Sequence, residues 1–109
     1  MDYKIIYYNE QVRQQVDDLP QRLKARYIFL TDVMKVQGAN LGIPHTEALG
    51  DGLFELRMKA QEGIARAFFC TLIKKRIVIL QCFIKKTQKT PKKELDLARK
   101  RLKEVKQNA

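Results

Sequence analysis

Arg57, Arg66 and Phe83 stand in three successive strand-like runs, LFELRMK, IARAFFCTLI and RIVILQCFIK, and Lys85 and Lys86 close the last of them. Short joints between the runs imply an antiparallel meander, and the joints set the register. If Lys74 and Lys75 form a two-residue hairpin loop, Ile73 pairs with Arg76 and Arg66 falls opposite Phe83. If the loop between the first two runs spans Ala60 to Gly63, Lys59 pairs with Ile64 and Arg57 falls opposite Arg66. Arg57, Arg66 and Phe83 then make one row, beside Lys59, Lys85, Gln81 and a single acid, Glu55. Two guanidinium groups abreast repel each other. A bound anion relieves the conflict, and so does pairing with Glu55 and other surface acids.

Other chemistries are poorly served. Cys70 and Cys82 lack the paired spacing of a zinc site, and His45 is the only histidine. The same register sends Cys70 to the face of the arginines and Cys82 to the opposite face, so the two cannot bridge without distorting the sheet. Both read as reduced packing residues, since nothing supplies the histidine partner of a reactive thiol. His45 lies in a glycine-rich loop with no second ligand or carboxylate beside it and reads as incidental. Neither a metal nor a cofactor is expected.

The charge narrows the class of partner. The chain carries 22 basic and 12 acidic residues, a net charge of +10. From residue 74 onward there are 13 basic residues and only three acidic ones, Glu94, Asp96 and Glu104, whereas the first 73 residues balance. A neutral body with a basic end is the footprint expected for a polyanion, because each phosphate contact releases counterions. The competing reading is a solvated lysine-rich helix face. An anionic membrane fits less well, since the final helix has no Trp or Phe on its apolar side. No apolar stretch approaches the roughly 20 residues needed to cross a bilayer, and the start MDYKIIYYNE does not resemble a signal peptide, so a cytoplasmic location is expected.

The elements that must position these residues follow from local pattern. Residues 3–8 are rich in Tyr and Ile and read as a strand, ended by Asn9, a good N-cap for a helix carrying Val12 and Val16. Pro20 opens a second helix whose Leu23, Tyr27, Leu30 and Met34 form a core stripe, and Gly38 ends it. GANLGIPHTEALGDG reads as a loop. After the three runs, Thr90 and Pro91 serve as N-cap and first-turn residue of a final helix with Leu95, Ala98, Leu102 and Val105 on one side. Strand alternation puts Phe54, Leu56, Met58, Ala65, Ala67, Phe69, Val78, Leu80, Cys82 and Ile84 on the face that meets the helices. The arginine row is then on an open face. At 109 residues, one domain over 1–109 is expected.

At this point DGLFELRMK, GIARAFF, FIKKTQKTP and the lysine-rich final helix resemble the phage-derived HigB-type branch of the RelE/HigB superfamily of toxins, strongly over about residues 45 to 106 and loosely before. The resemblance implies an α+β, RelE-like fold: an antiparallel sheet with helices packed on one face and a C-terminal helix. It implies a ribosome-dependent mRNA endonuclease that inhibits translation, needs no metal, and is paired with a cognate antitoxin that often carries a helix-turn-helix domain. Residue by residue, Arg57 matches the arginine of the ELR segment, Arg66 that of the next strand, Lys85 and Lys86 the paired lysines, and Phe83 the family aromatic. Many relatives have a histidine near Gln81, which this chain lacks.

On that resemblance the expected catalytic residues are Arg57, Arg66, Lys85 and Lys86. Arg66 is the expected phosphate clamp with Arg57 in support, because a guanidinium fork suits two oxygens at once. Lys59, Phe83, Lys89, Lys92 and Lys93 are expected to contact RNA, Phe83 by stacking on a base. Cleavage is expected to proceed without His45, and replacing Arg66 on an open face is expected to leave stability nearly unchanged. The alternatives are a module of the same fold that grips RNA without cutting it, and one whose basic helix docks an acidic protein.

Overall fold

A computed structural model describes residues 2–86 and 89–108. The elements run β1 (Lys4–Tyr7), α1 (Glu10–Asp17), α2 (Gln21–Gln37), β2 (Thr46–Gly50), β3 (Leu53–Ala60), β4 (Gly63–Leu72), β5 (Arg76–Lys85) and α3 (Lys92–Gln107). The strands form one sheet in the order β1-β5-β4-β3-β2. The α+β class, the antiparallel β3–β4–β5 meander, helices against one face and the C-terminal helix are as the sequence predicts. β1 departs from the antiparallel pattern: it joins the far edge parallel to β5, with Ile5 beside Ile77. Thr87 and Gln88 of the FIKKTQKTP segment lie outside the described residues.

Local chemistry explains the helices. Asn9 caps α1, its side chain accepting from Val12 N at 2.9 Å, and the helix buries Val12 and Val16. α2 buries Leu23, Tyr27, Leu30 and Met34, the predicted stripe. Its N-terminus has no capping side chain of its own; Glu62, from the tip of the β3–β4 hairpin, accepts from the backbone N–H of Arg22 at 3.0 Å and of Leu23 at 3.1 Å. A carboxylate there satisfies otherwise orphaned donors and meets the positive end of the helix dipole. Thr31, buried on α2, returns its hydroxyl to Tyr27 O at 2.8 Å.

α1 and α2 cover one face of the sheet, burying Leu56, Met58, Ala65, Ala67, Phe69, Ile77, Ile79 and Cys82, with Phe54 packed against them. α3 covers the other face through Ala98 and Leu102, with Leu95 and Val105 beside them, on a second cluster of Leu53, Phe68, Cys70, Val78 and Leu80. The face carrying the arginines is therefore not wholly open.

Val78 and Leu80 were expected under α1 and α2 but lie under α3. The cause is a bulge: Phe68 pairs with Gln81 while Phe69 pairs with Ile79, so Leu80 is an extra residue on β5. An extra residue puts two neighbours on the same side of the strand and reverses the alternation beyond it. The hairpin end shifts with it, Leu72 rather than Ile73 pairing with Arg76, around a loop of Ile73, Lys74 and Lys75. Ile84, also assigned to that core face, is half exposed.

The glycine-rich segment hides β2, which pairs antiparallel to β3 with Thr46 opposite Leu56 and Glu47 opposite Glu55. Asp51 and Gly52, both at positive φ (57° and 84°), turn the chain between Gly50 and Leu53. An Asp-Gly pair at two positive φ angles is a strong hairpin signal, and the segment carried it in plain view.

Candidate functional site

The β3–β4 register pairs Arg57 with Arg66, and the β4–β5 register pairs Arg66 with Phe83, as predicted. The next row on the same face is Lys59, Ile64 and Lys85. The row before it is Glu55, Phe68 and Gln81. β2 adds a fourth column: Glu47 stands opposite Glu55, and the Arg57 N–H donates to His45 O at 2.8 Å, which puts His45 across from Arg57.

α3 closes the Glu55 row. Thr90 donates its hydroxyl to Glu55 at 3.2 Å instead of capping α3, whose N-cap is Pro91 with no side-chain cap. Gln81 donates to Glu94 at 2.8 Å and accepts from Arg101 at 3.0 Å. Beyond this cover the sheet face opens at the arginine and lysine rows. A cavity of about 400 Å³ there is lined by Arg57, Lys59, Ile64 and Arg66 together with Pro44, His45 and Arg26 of α2.

The two arginines do not meet as bare cations. Arg57 pairs with Glu47 and, at 3.0 Å, with Glu55, whose side chain is only 5% exposed. That hydrogen bond to Glu55 is the first reason the Arg57 guanidinium is held even more firmly protonated than usual. Arg66 stands 3.6 Å from the same carboxylate with its side chain 13% exposed. Burial lowers its affinity for a proton and Glu55 opposes that effect. Arg66 is thus a nearly buried wall of the cavity, so the open face on which the expected small cost of its removal rested is not what the fold provides. Pairing with Glu55 and another acid, the reading weighed against a bound anion, is present: both arginines face Glu55, and Arg57 also pairs with Glu47.

The other expected residues are less gathered. Phe83 packs on Phe68, ring centres 5.6 Å apart, at the far end of the arginine row. Lys85 is half-buried at the end of β5, and Lys86, just past it, is exposed. Lys92 and Lys93 are exposed in the first turn of α3, and Lys89 is exposed before it. Lys59, Lys85, Lys86, Lys92 and Lys93 enter none of the ion pairs among the described residues. Sequence reasoning missed Glu47 and Arg26 and set His45 aside as incidental; Glu47 and the placement of His45 depend on recognising β2, and Arg26 sits in α2, whose link to this site no local pattern announces.

Both cysteines are free and buried on opposite faces, as predicted. Burial pushes the Cys70 thiol up to about 11 and that of Cys82 up to about 12. Among the described residues, no group of three or more His, Cys, Asp or Glu could hold a metal ion, and no helix is long and apolar enough to cross a membrane.

The sheet order and the placement of the helices define the class: this is the fold of RelE-like toxins. A double arginine-to-alanine mutant of the E. coli toxin RelE in the free state superimposes with a TM-score of 0.67 at 9% identity, over 93% of this chain and 98% of that one. An archaeal RelE–RelB complex from Pyrococcus horikoshii matches with a TM-score of 0.52 at 20% identity, over 77% of this chain and 96% of that chain. The protein belongs to the family described as phage derived protein Gp49-like (DUF891), whose model matches residues 14–103. The resemblance to the phage-derived branch of the RelE/HigB superfamily is thereby borne out. No curated protein matches the sequence.

Proposed function

We propose that this protein is the toxin of a toxin–antitoxin pair and acts as a ribosome-dependent mRNA endoribonuclease that inhibits translation in the cytoplasm. The observation that carries this reading is the cationic cavity on the sheet face, where Arg57, Arg66 and Lys59 converge beyond the cover of α3. Attack of a 2′-hydroxyl on the neighbouring phosphorus needs the phosphate held, its added negative charge stabilised and two protons moved. Arg66 forms the wall against which a phosphate is held. Arg57, tied to Glu47 and Glu55, keeps its guanidinium in place beside it. Lys59, Lys85 and Lys86 contribute positive charge along the strand ends, Phe83 offers a ring for a base, and Lys89, Lys92 and Lys93 extend the cationic track toward α3. None of these roles calls for a metal.

An antitoxin partner follows from the family and from the likeness to a RelE structure that is a complex with RelB. The reading includes an antitoxin with a helix-turn-helix domain, as the sequence resemblance implies. The neutralisation of Arg57 by two carboxylates favours a second reading, a module of this fold that binds RNA without cutting it. Regulated expression in bacteria with mapping of mRNA ends separates the two. New ends within translated regions, absent for Arg66→Ala, support cleavage; growth arrest with intact mRNA supports binding alone.

A further inference from the structure

A site built only of arginines and lysines stabilises phosphate charge well and removes protons poorly, because at neutral pH an unperturbed lysine, with a pKa of about 10.4, is rarely a free base. An imidazole is the side chain suited to that task between pH 5 and 8. The chain has one, and the fold brings it to the site: His45, the last residue of the turn that leads into β2, sits across from Arg57 at the end of the row of Arg57, Arg66 and Phe83 and lines the same cavity. The strand ladder fixes this placement, since the His45 carbonyl accepts from Arg57 N at 2.8 Å and the next pair, Thr46 with Leu56, is in register. Thr46 is fully buried, its hydroxyl donating to Asn40 at 2.9 Å and accepting from Gly42 N at 2.8 Å, so the backbone next to His45 is anchored on both sides.

Resting on the reading of the protein as an mRNA endoribonuclease, we propose that His45 is the general base that activates the 2′-hydroxyl, and that Arg26 of α2 helps hold the scissile phosphate beside it. In the step so assigned, the neutral imidazole takes the 2′-hydroxyl proton and the 2′-oxygen bonds to the adjacent phosphorus. The bond from phosphorus to the 5′-oxygen breaks, leaving a 2′,3′-cyclic phosphate on one fragment. The departing 5′-oxygen takes a proton from the Lys59 ammonium, and the proton on His45 returns to Lys59 through solvent. The charged groups around the imidazole are Arg57 and Lys59 from β3, Arg66 from β4 and Arg26 from α2, with Glu47 of β2 and Glu55 of β3 one row away. Cations on three sides draw a phosphodiester to it.

The test uses the full chain with ribosomes carrying a defined mRNA, and measures single-turnover cleavage and ribosome binding from pH 5.5 to 8.5 for wild type, His45→Ala and His45→Gln. The glutamine variant keeps size and hydrogen bonding without a titrating group, and a thermal melt of each variant establishes that it is folded. The proposal expects both variants to cut on the order of 10²- to 10⁴-fold more slowly, with ribosome binding unchanged, the rise of rate with pH lost, and partial rescue of His45→Ala by free imidazole. Variants that cut within about threefold of wild type, or that lose binding and rate together with the pH profile intact, overturn it and leave the endoribonuclease reading standing. Wild type that leaves ribosome-bound mRNA intact overturns that reading, and the role of His45 with it.

Discussion

Arg66 Nε stands 3.6 Å from Glu55 Oε1, inside the range of an ion pair but beyond a hydrogen bond, and it is buried without any hydrogen-bond partner. A donor left unsatisfied at a nearly buried position is costly, and such groups persist where function requires them. Arg57 shares Glu55 from the other side, so the carboxylate is not orphaned when Arg66 is removed.

Arg66→Ala removes the ion pair with Glu55 and the packing of a side chain only 13% exposed. On balance it should lower stability by about 1–2 kcal/mol, less than the loss of one partner from an isolated buried pair because Arg57 still holds Glu55, while abolishing mRNA cleavage. Glu55→Gln should be the more damaging change to the fold, since it strips both arginines of their shared counter-ion. Denaturant melts of the two variants check the ranking. A variant Arg66→Ala as stable as wild type would mean that the cluster contributes nothing to the fold.

Binding to ribosomes or RNA should weaken steeply with salt, because all of the net positive charge lies from residue 74 onward. Lys92→Ala with Lys93→Ala should reduce affinity for all sequences alike and lower the salt slope by roughly one unit per lysine. Titrations between low and physiological salt decide this. A flat response would remove the electrostatic account of binding.

Cleavage should persist in chelator and should be far slower on naked mRNA than on ribosome-bound mRNA. The site holds charge well but has few means of ordering a flexible strand; a ribosome that orders it contributes several kcal/mol, on the order of 7 at the favourable end. Rates on both substrates, each with and without chelator, test it. Naked RNA cut rapidly and only with metal would point to a different mechanism.

Alkaline pH should destabilise the fold through Cys82. Burial raises its thiol to about 12 from an ordinary 9.0, so the folded state holds a proton that the unfolded state releases. The contribution is complete below about pH 9 and is lost as pH climbs toward about 12. Cys82→Ala should show a shallower fall of Tm with pH across that window, and neither cysteine of the native protein should react with a thiol reagent until it unfolds.

Glu62→Ala should cost about 1 kcal/mol by uncapping α2, although Glu62 is an exposed loop residue that sequence reasoning would pass over. Thermal melts give the answer, and an unchanged Tm would mean that solvent serves the helix end equally well.

The row of Arg57, Arg66 and Phe83 was legible because the short β3–β4 turn sets which residues face one another near its tip, and the β4–β5 register holds from Ile64 to Phe68. The placement of Val78 and Leu80 was not, because a bulge depends on what packs on each side of the strand rather than on the strand's own pattern. β2 was missed for a different reason: TEALG has one β-branched residue, Thr46, and no aromatic, so the Asp51-Gly52 turn was its one clear marker, and pairing with β3 holds it extended. Glu47 went unseen with it, and His45 read as an incidental loop residue. The stripe on α3 was plain in the sequence, but an amphipathic helix does not say which face of a sheet it will cover.

The extra residue at Leu80 acts as a phase shift partway along β5. Toward the open end of the strand, the sequence keeps step with Arg66; toward the other end it is offset by one, so that Ile77 and Ile79 supply one core and Val78 and Leu80 the other. A strand with uninterrupted alternation could not both set Phe83 beside Arg66 and give α3 an apolar floor of Val78 and Leu80. One unpaired position lets the cationic rows and the seat of the basic helix share a single face, and ties the lysines of α3 to the site at the strand ends.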